Sequence, residues 1–143
     1  MWVGVSRSKL AGAVAGEGGI GIISTAQIGY DEAEFETDPA AANRKAIVKH
    51  IRLAKEKAKN GLVGVNIMVA LKHYKEHVMA AVAAGADVII SGAGLPVKLP
   101  EYIGKGSKSS VTALGEEISS YRRFYCNRGT QSGWSSWIFQ RRT

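Results

Sequence analysis

The stretch Gly61-Leu62-Val63-Gly64-Val65-Asn66-Ile67-Met68 constrains the fold more than any other. It is short, almost continuously apolar, and follows directly on a long charged segment with helical character. Such a run reads as a strand buried on both faces, the kind found in parallel sheets flanked by helices. Its one polar side chain, Asn66, falls near the C-terminal end. In α/β folds the C-terminal ends of the strands form the rim where ligands sit. Asn66 is therefore a candidate ligand contact. A structural asparagine bonded to a neighbouring loop is the other reading of the same position.

The segments around it repeat this logic. Ser6 to Gly18 predicts a short helix, with Ser6 or Ser8 as cap, Leu10, Ala13 and Val14 on one face, and Gly18-Gly19 as its stop. Ile20-Gly21-Ile22-Ile23-Ser24 predicts a buried strand, and residues 25–38 a polar loop rich in Asp and Glu. Asp38-Pro39 is a strong helix start, because Asp caps and Pro suits the first helical position. That helix runs to about Asn60, with Ile47, Ile51, Ala54 and Ala58 on one face and Gly61 as its stop. His73 to Gly85 is a further helix, Asp87-Val88-Ile89-Ile90-Ser91 a further strand, and Pro96 to about Tyr102 a short helix. The small-residue turn Gly92-Ala93-Gly94 lets a ligand approach the backbone, although it lacks a full phosphate-binding glycine pattern. Alternating helices and strands imply an α/β fold with parallel strands and right-handed crossovers. The repeat length is close to that of a (β/α) barrel unit, with a doubly wound sheet as the alternative architecture.

Composition narrows the functional classes. A chain of 143 residues with 45% hydrophobic and 22% charged residues is that of a soluble globular protein, one domain or part of one. No apolar run is long enough to cross a bilayer, and the first residues lack the layout of a signal peptide. The lone Cys126 excludes an internal disulfide and fits a reducing, cytoplasmic compartment. The net charge of +7 raises nucleic acid as a partner. The lysines of the long helix, Lys45 to Lys59, read better as a solvated face and as partners of the helix dipole. His73 and His77, spaced i and i+4, share one helix face that would suit a metal. With no cysteine or third histidine nearby, two surface histidines at a helix start is the preferred reading.

Taken together, these motifs resemble a known family. Gly4-Val5-Ser6 with Leu10-Ala11-Gly12-Ala13-Val14-Ala15, then Glu17-Gly18-Gly19-Ile20-Gly21-Ile22-Ile23-Ser24, Gly64-Val65-Asn66-Ile67-Met68, Ala84-Gly85-Ala86-Asp87 and Ser91-Gly92-Ala93-Gly94-Leu95-Pro96 closely resemble the nitronate monooxygenases, also called 2-nitropropane dioxygenases. The flavin-type enoyl-acyl-carrier-protein reductases look similar. The resemblance spans residues 1 to about 108. It implies a fragment of an FMN-binding (β/α)8 TIM barrel, roughly its second to fourth strands with their helices. It also implies FMN as cofactor, held at the strand C-termini by Asn66, by Met1 and by the turn at Gly92. The implied activity is oxidation of alkyl nitronates, or similar small acidic carbon substrates, with oxygen. Trp2 stands where the family usually has Gly. The family's catalytic His lies in a later motif, Ala-Gly-Gly-His-Leu-Gly, which this chain lacks. His50, His73 and His77 do not match it, and the phosphate-binding glycines of the late strands are also missing. The resemblance thus implies a chain without its catalytic base, with neither tight FMN retention nor turnover expected.

Composition shifts near Lys108, and residues 109–143 form an atypical tail. It carries Arg122, Arg123, Arg128, Arg141 and Arg142 with Trp134 and Trp137. A family-like Glu-Gly-Pro-Lys-Ala-Gly-Gly-His-Leu-Gly-Phe segment, with suitable codons read one frame out, spells Gly129-Thr130-Gln131-Ser132-Gly133-Trp134-Ser135-Ser136-Trp137-Ile138. The expectation is a frame-shifted, irregular tail that packs poorly. Three functions compete: the nitronate-oxidising flavoenzyme, a flavin enoyl reductase using a nicotinamide cofactor, and a non-enzymatic basic module whose Arg/Trp tail holds single-stranded nucleic acid. The expected partner is the small substrate, not nucleic acid or a membrane.

Overall fold

The computed structural model describes residues 4–94, 96–103 and 110–113. Met1 and residues 114–143 lie outside this set, so neither the FMN contact expected of Met1 nor the character of most of the tail is addressed by it. The described elements alternate in order: α1 (Ser8–Gly16), β1 (Ile20–Ser24), α2 (Pro39–Ala58), β2 (Leu62–Met68), α3 (Tyr74–Ala83), β3 (Val88–Gly92), α4 (Leu99–Ile103) and β4 (Ser110–Ala113). The strands form one parallel sheet in the order β1-β2-β3-β4. The fold is therefore mixed α/β with consecutive parallel strands.

Local chemistry accounts for most element ends. The Asp38 carboxylate accepts from the amide of Ala41 at 2.9 Å, and Pro39 opens α2 as its first residue. α1 closes through Gly18 at φ +88, with Gly18 N–H on the Ala15 carbonyl and Gly19 N–H on that of Val14. α3 closes in the same way through Gly85 at φ +82.

Three local expectations are corrected. Neither Ser6 nor Ser8 caps α1: Arg7 holds the N-cap position without a capping bond from its side chain, and the Ser8 hydroxyl is engaged by His50 instead. α2 ends at Ala58, within two residues of the expected end, but its stop is Lys59, which takes the positive φ of +54, and not Gly61. Gly61 serves another purpose: a Cβ there would strike the carbonyl of Ala15 on α1. The glycine lets the start of β2 pass beneath the first helix. Finally, the sheet does not stop at the compositional boundary. Ser110–Ala113 pairs in parallel with Val88–Ser91, so at least four residues beyond Lys108 belong to the sheet.

The helices all contribute to one layer. α1 packs on α2, α2 on α3 and α3 on α4. One face of the sheet, with Ile23, Val63, Val65, Ile67 and Ile89, meets Ile47, Ile51 and Ala54 of α2 and Val78 of α3 in a single core. Gly21 belongs to this face, and a Cβ there would collide with the Ala11 carbonyl.

The opposite face is different. Ile20 is 51% and Leu62 47% exposed, and Ile22, Asn66, Met68, Val88 and Ile90 are half-buried. The expectation that β2 is buried on both faces is corrected accordingly. Its helix-side residues are sealed, while its other face is apolar but incompletely covered.

Candidate functional site

Alternation along the strands sends Ile20, Ile22 and Ser24 to the face away from the helices, with Leu62, Gly64, Asn66 and Met68 of β2 and Val88, Ile90 and Gly92 of β3. The register confirms this grouping, because a Cβ on Gly64 would meet Ile22 and Val88. The face is layered. Its lower rows are apolar: Ile20 beside Leu62, then Ile22, Gly64 and Val88. The next row toward the strand C-termini is Ser24, Asn66 and Ile90, continued in register by Thr112. Polar groups thus enter at the rim.

Two features mark this row as unfinished. The Ser24 hydroxyl is shut off from solvent, in a residue only 4% exposed, and has no hydrogen-bond partner among the described residues. Asn66 uses its backbone carbonyl for Thr25, which donates through its amide at 3.1 Å and its hydroxyl at 2.9 Å. Among the described residues, the side-chain amide of Asn66 makes no hydrogen bond. A structural asparagine tying down a neighbouring loop would use that amide. Here Thr25 and the main chain do the tying instead.

Gly92 ends β3 on the same rim, in register with Met68. Its carbonyl accepts from Val69 N–H at 2.8 Å, and the Ala93 carbonyl accepts from Ala70 N–H at 3.2 Å, so the two strands stay paired beyond their nominal ends. Ala93 then adopts φ +55, a conformation costly for a residue with a Cβ, and Gly94 follows at φ +136. The turn thereby folds back over Val69.

A second polar cluster joins the rim from the side. The Ser6 carbonyl accepts from Ser24 N–H at 2.9 Å, which places the start of α1 beside the end of β1. Arg7 then reaches both the loop after β1 and helix α2. Its guanidinium donates to both oxygens of Asp31 at 2.7 and 2.9 Å, to the Tyr30 hydroxyl at 3.4 Å and to His50 Nε2 at 2.9 Å. Since Nε2 accepts, Nδ1 carries the proton and donates to Ser8 Oγ at 3.0 Å. The imidazole is therefore neutral, and burial and then the Arg7 charge depress its pKa. Both ring nitrogens are committed, so His50 offers no free base.

His77 is the other histidine of note. The expectation of a surface position is corrected: it is 4% exposed on α3, among the helices, and neither nitrogen has a partner among the described residues. Burial holds its pKa down. Among the described residues, no group of three or more His, Cys, Asp or Glu could hold a metal ion. No described helix is long and apolar enough to cross a membrane. The lysines of α2 are not simply solvated. Lys45 and Lys49 pair with Glu32 and Glu34 of the acidic loop, and Lys55 with Asp87.

Sequence reasoning placed Asn66 and the turn at Gly92 at the strand C-termini, and the register brings both to one rim, with Ser24 beside Asn66. It did not find the Arg7–His50–Ser8 cluster or the unpaired state of Ser24. No local signal carries either, because the partners lie tens of residues apart. The chain matches no protein-family model and no curated protein sequence.

Proposed function

We propose that this chain is part of an FMN-dependent oxidoreductase resembling the nitronate monooxygenases, built on consecutive units of a (β/α)8 barrel. The observation that carries the reading is the unpaired polar row, Ser24 and Asn66, at the C-terminal edge of the sheet face turned away from the helices. In a barrel that face lines the interior, and that edge is where ligands bind. The strand order supports a barrel over a doubly wound sheet. It runs β1 to β4 without reversal, and the helices pack in one layer, whereas a doubly wound sheet reverses order at its ligand site and carries helices on both faces.

The residues present suit one edge of a flavin ring. The Asn66 amide offers a donor and an acceptor side by side, matching the alternating carbonyl and N–H groups of that edge. A bound flavin would supply the redox chemistry, taking electrons from a carbon acid such as a nitronate and passing them to oxygen. The protein's part is to orient the ring against the apolar rows of the sheet and to keep water from it. A general base must come from elsewhere, since His50 and His77 both belong to the helix layer and the one lone pair of the neutral His50 ring already accepts from Arg7.

The test uses the chain as it stands and a version with its downstream reading frame restored. In the first, titration with FMN should give weak, saturable quenching of flavin fluorescence, and Asn66→Ala should weaken it by about 1–3 kcal/mol. The frame-restored chain should hold FMN stoichiometrically and take up oxygen with an alkyl nitronate. Reduction of an enoyl thioester by NAD(P)H without nitronate turnover would select the enoyl reductase instead. Absence of flavin binding in both would overturn the proposal.

A further inference from the structure

We infer that Ser24 is a second ligand-binding group of the rim, held ready beside Asn66 and left without a protein partner for that purpose. The inference rests on the reading of the rim as a flavin site. Three observations carry it. Ser24 is enclosed, and among the described residues its buried hydroxyl is unpaired, a state that natural proteins largely avoid. Its own amide is already satisfied by the Ser6 carbonyl, so its backbone is fixed and the hydroxyl alone is left over. Its register partner is Asn66, on the same face and at the same level, with an amide that is also free among the described residues. Two adjacent unsatisfied polar side chains on neighbouring strands are poor for stability and good for recognition.

The chemistry names the ligand class. A hydroxyl and a primary amide in adjacent strands supply three donor hydrogens and two acceptor oxygens over a short span. The complementary group is a planar heterocycle with an imide-like edge, whose N–H lies between two carbonyls. The pyrimidine side of an isoalloxazine has that edge. A phosphate is not favoured, because the row of Ser24, Asn66, Ile90 and Thr112 holds no cation, and the Arg7 guanidinium at the start of α1 is committed to Asp31, Tyr30 and His50.

A residue kept for a ligand carries a distinct signature. Its removal should stabilise the free protein while weakening the complex. The experiment compares parent, Ser24→Ala and Ser24→Thr by thermal unfolding without ligand, and by titration with riboflavin, which lacks the phosphate. Ser24→Ala is expected to unfold at a higher temperature than the parent and to bind riboflavin about tenfold more weakly, the loss of one buried hydrogen bond. Ser24→Thr keeps the hydroxyl and should retain more of the binding than Ala. A lower unfolding temperature for Ser24→Ala with unchanged riboflavin binding would overturn the inference, because the hydroxyl would then have a structural partner. Equal riboflavin binding by parent and Ser24→Ala, with Asn66→Ala impaired, would remove Ser24 and leave the flavin reading standing. No riboflavin binding by the parent would overturn the inference, while the flavin reading itself would still be decided by the frame-restored chain.

Discussion

At the scale of single residues, the bond from Arg7 to His50 sets a protonation state. An imidazole that accepts from a guanidinium must be neutral, and protonation would place two cations in contact. Burial lowers the His50 pKa first, and the charges of Arg7 and Lys49 lower it further, against smaller opposing effects of Asp31 and Glu32. His77 is depressed in the same sense, by burial first and then by His73 and, after the opposing charge of Glu76, by Arg44. A histidine neutral in the fold and ordinary when unfolded contributes fully above its unfolded value near 6.5. That contribution is lost as pH falls from there toward the lower folded value. Asp31, held low chiefly by its hydrogen bond from Arg7, acts in a separate window: its contribution is present above the ordinary carboxylate value and lost as pH falls through the folded one. The midpoint of urea unfolding should therefore drop between pH 7 and pH 5, before the carboxylates titrate. His50→Gln should flatten that drop. An unchanged slope in both His50→Gln and His77→Gln would show that neither ring is the group responsible.

At the scale of elements, two positions near the end of α2 exchange the roles that their residue types suggest. Lys59 adopts the positive φ that usually calls for glycine, while Gly61 provides clearance beneath α1. Lys59→Gly should accordingly stabilise the protein by about 1 kcal/mol, by relieving that conformation. Gly61→Ala should destabilise it by about 1–3 kcal/mol or more, since the added methyl meets the Ala15 backbone and not a side chain that can turn away. Chemical denaturation of the two variants checks both signs, and a Gly61→Ala protein as stable as the parent would mean that α1 does not lie so close to β2. The cap at the other end of α2 is more ordinary: Asp38→Ala should cost about 0.5–2 kcal/mol, also read from denaturation midpoints.

At the scale of the molecule, one sheet face is sealed by helices and the other presents apolar side chains. Parallel sheets are normally covered on both faces, because each face of such a strand is apolar. Ile20 and Leu62 are register partners, and both stand about half exposed on that face. Contiguous exposed apolar surface promotes association. Purified protein should bind a hydrophobic dye and self-associate with rising concentration. Leu62→Lys should reduce both with little change in the unfolding midpoint, as followed by dye fluorescence and light scattering. Unaltered association in Leu62→Lys and Ile20→Lys would place the contact elsewhere.

The chain's own pattern determined the elements and their sense. Apolar runs of five to seven residues, Asp38-Pro39, and glycines after α1 and α3 are local signals, and they put β1 to β3 and α1 to α3 within about two residues of where they lie. The rim position of Asn66 was legible for the same reason, since parallel strands separated by helices must present like ends together. β4 was not legible: Ser-Val-Thr-Ala is too short and too mixed to signal a strand, and only pairing with β3 makes it one. Nor was the burial of His77, because helical spacing shows which residues share a face but not which face meets a neighbour. The Arg7–His50–Ser8 cluster and the unpaired hydroxyl of Ser24 arise where the start of α1, the end of β1 and the middle of α2 converge. Hydrogen bonding is satisfied in space, not along the chain, so which polar group is left over could be decided only by the tertiary structure.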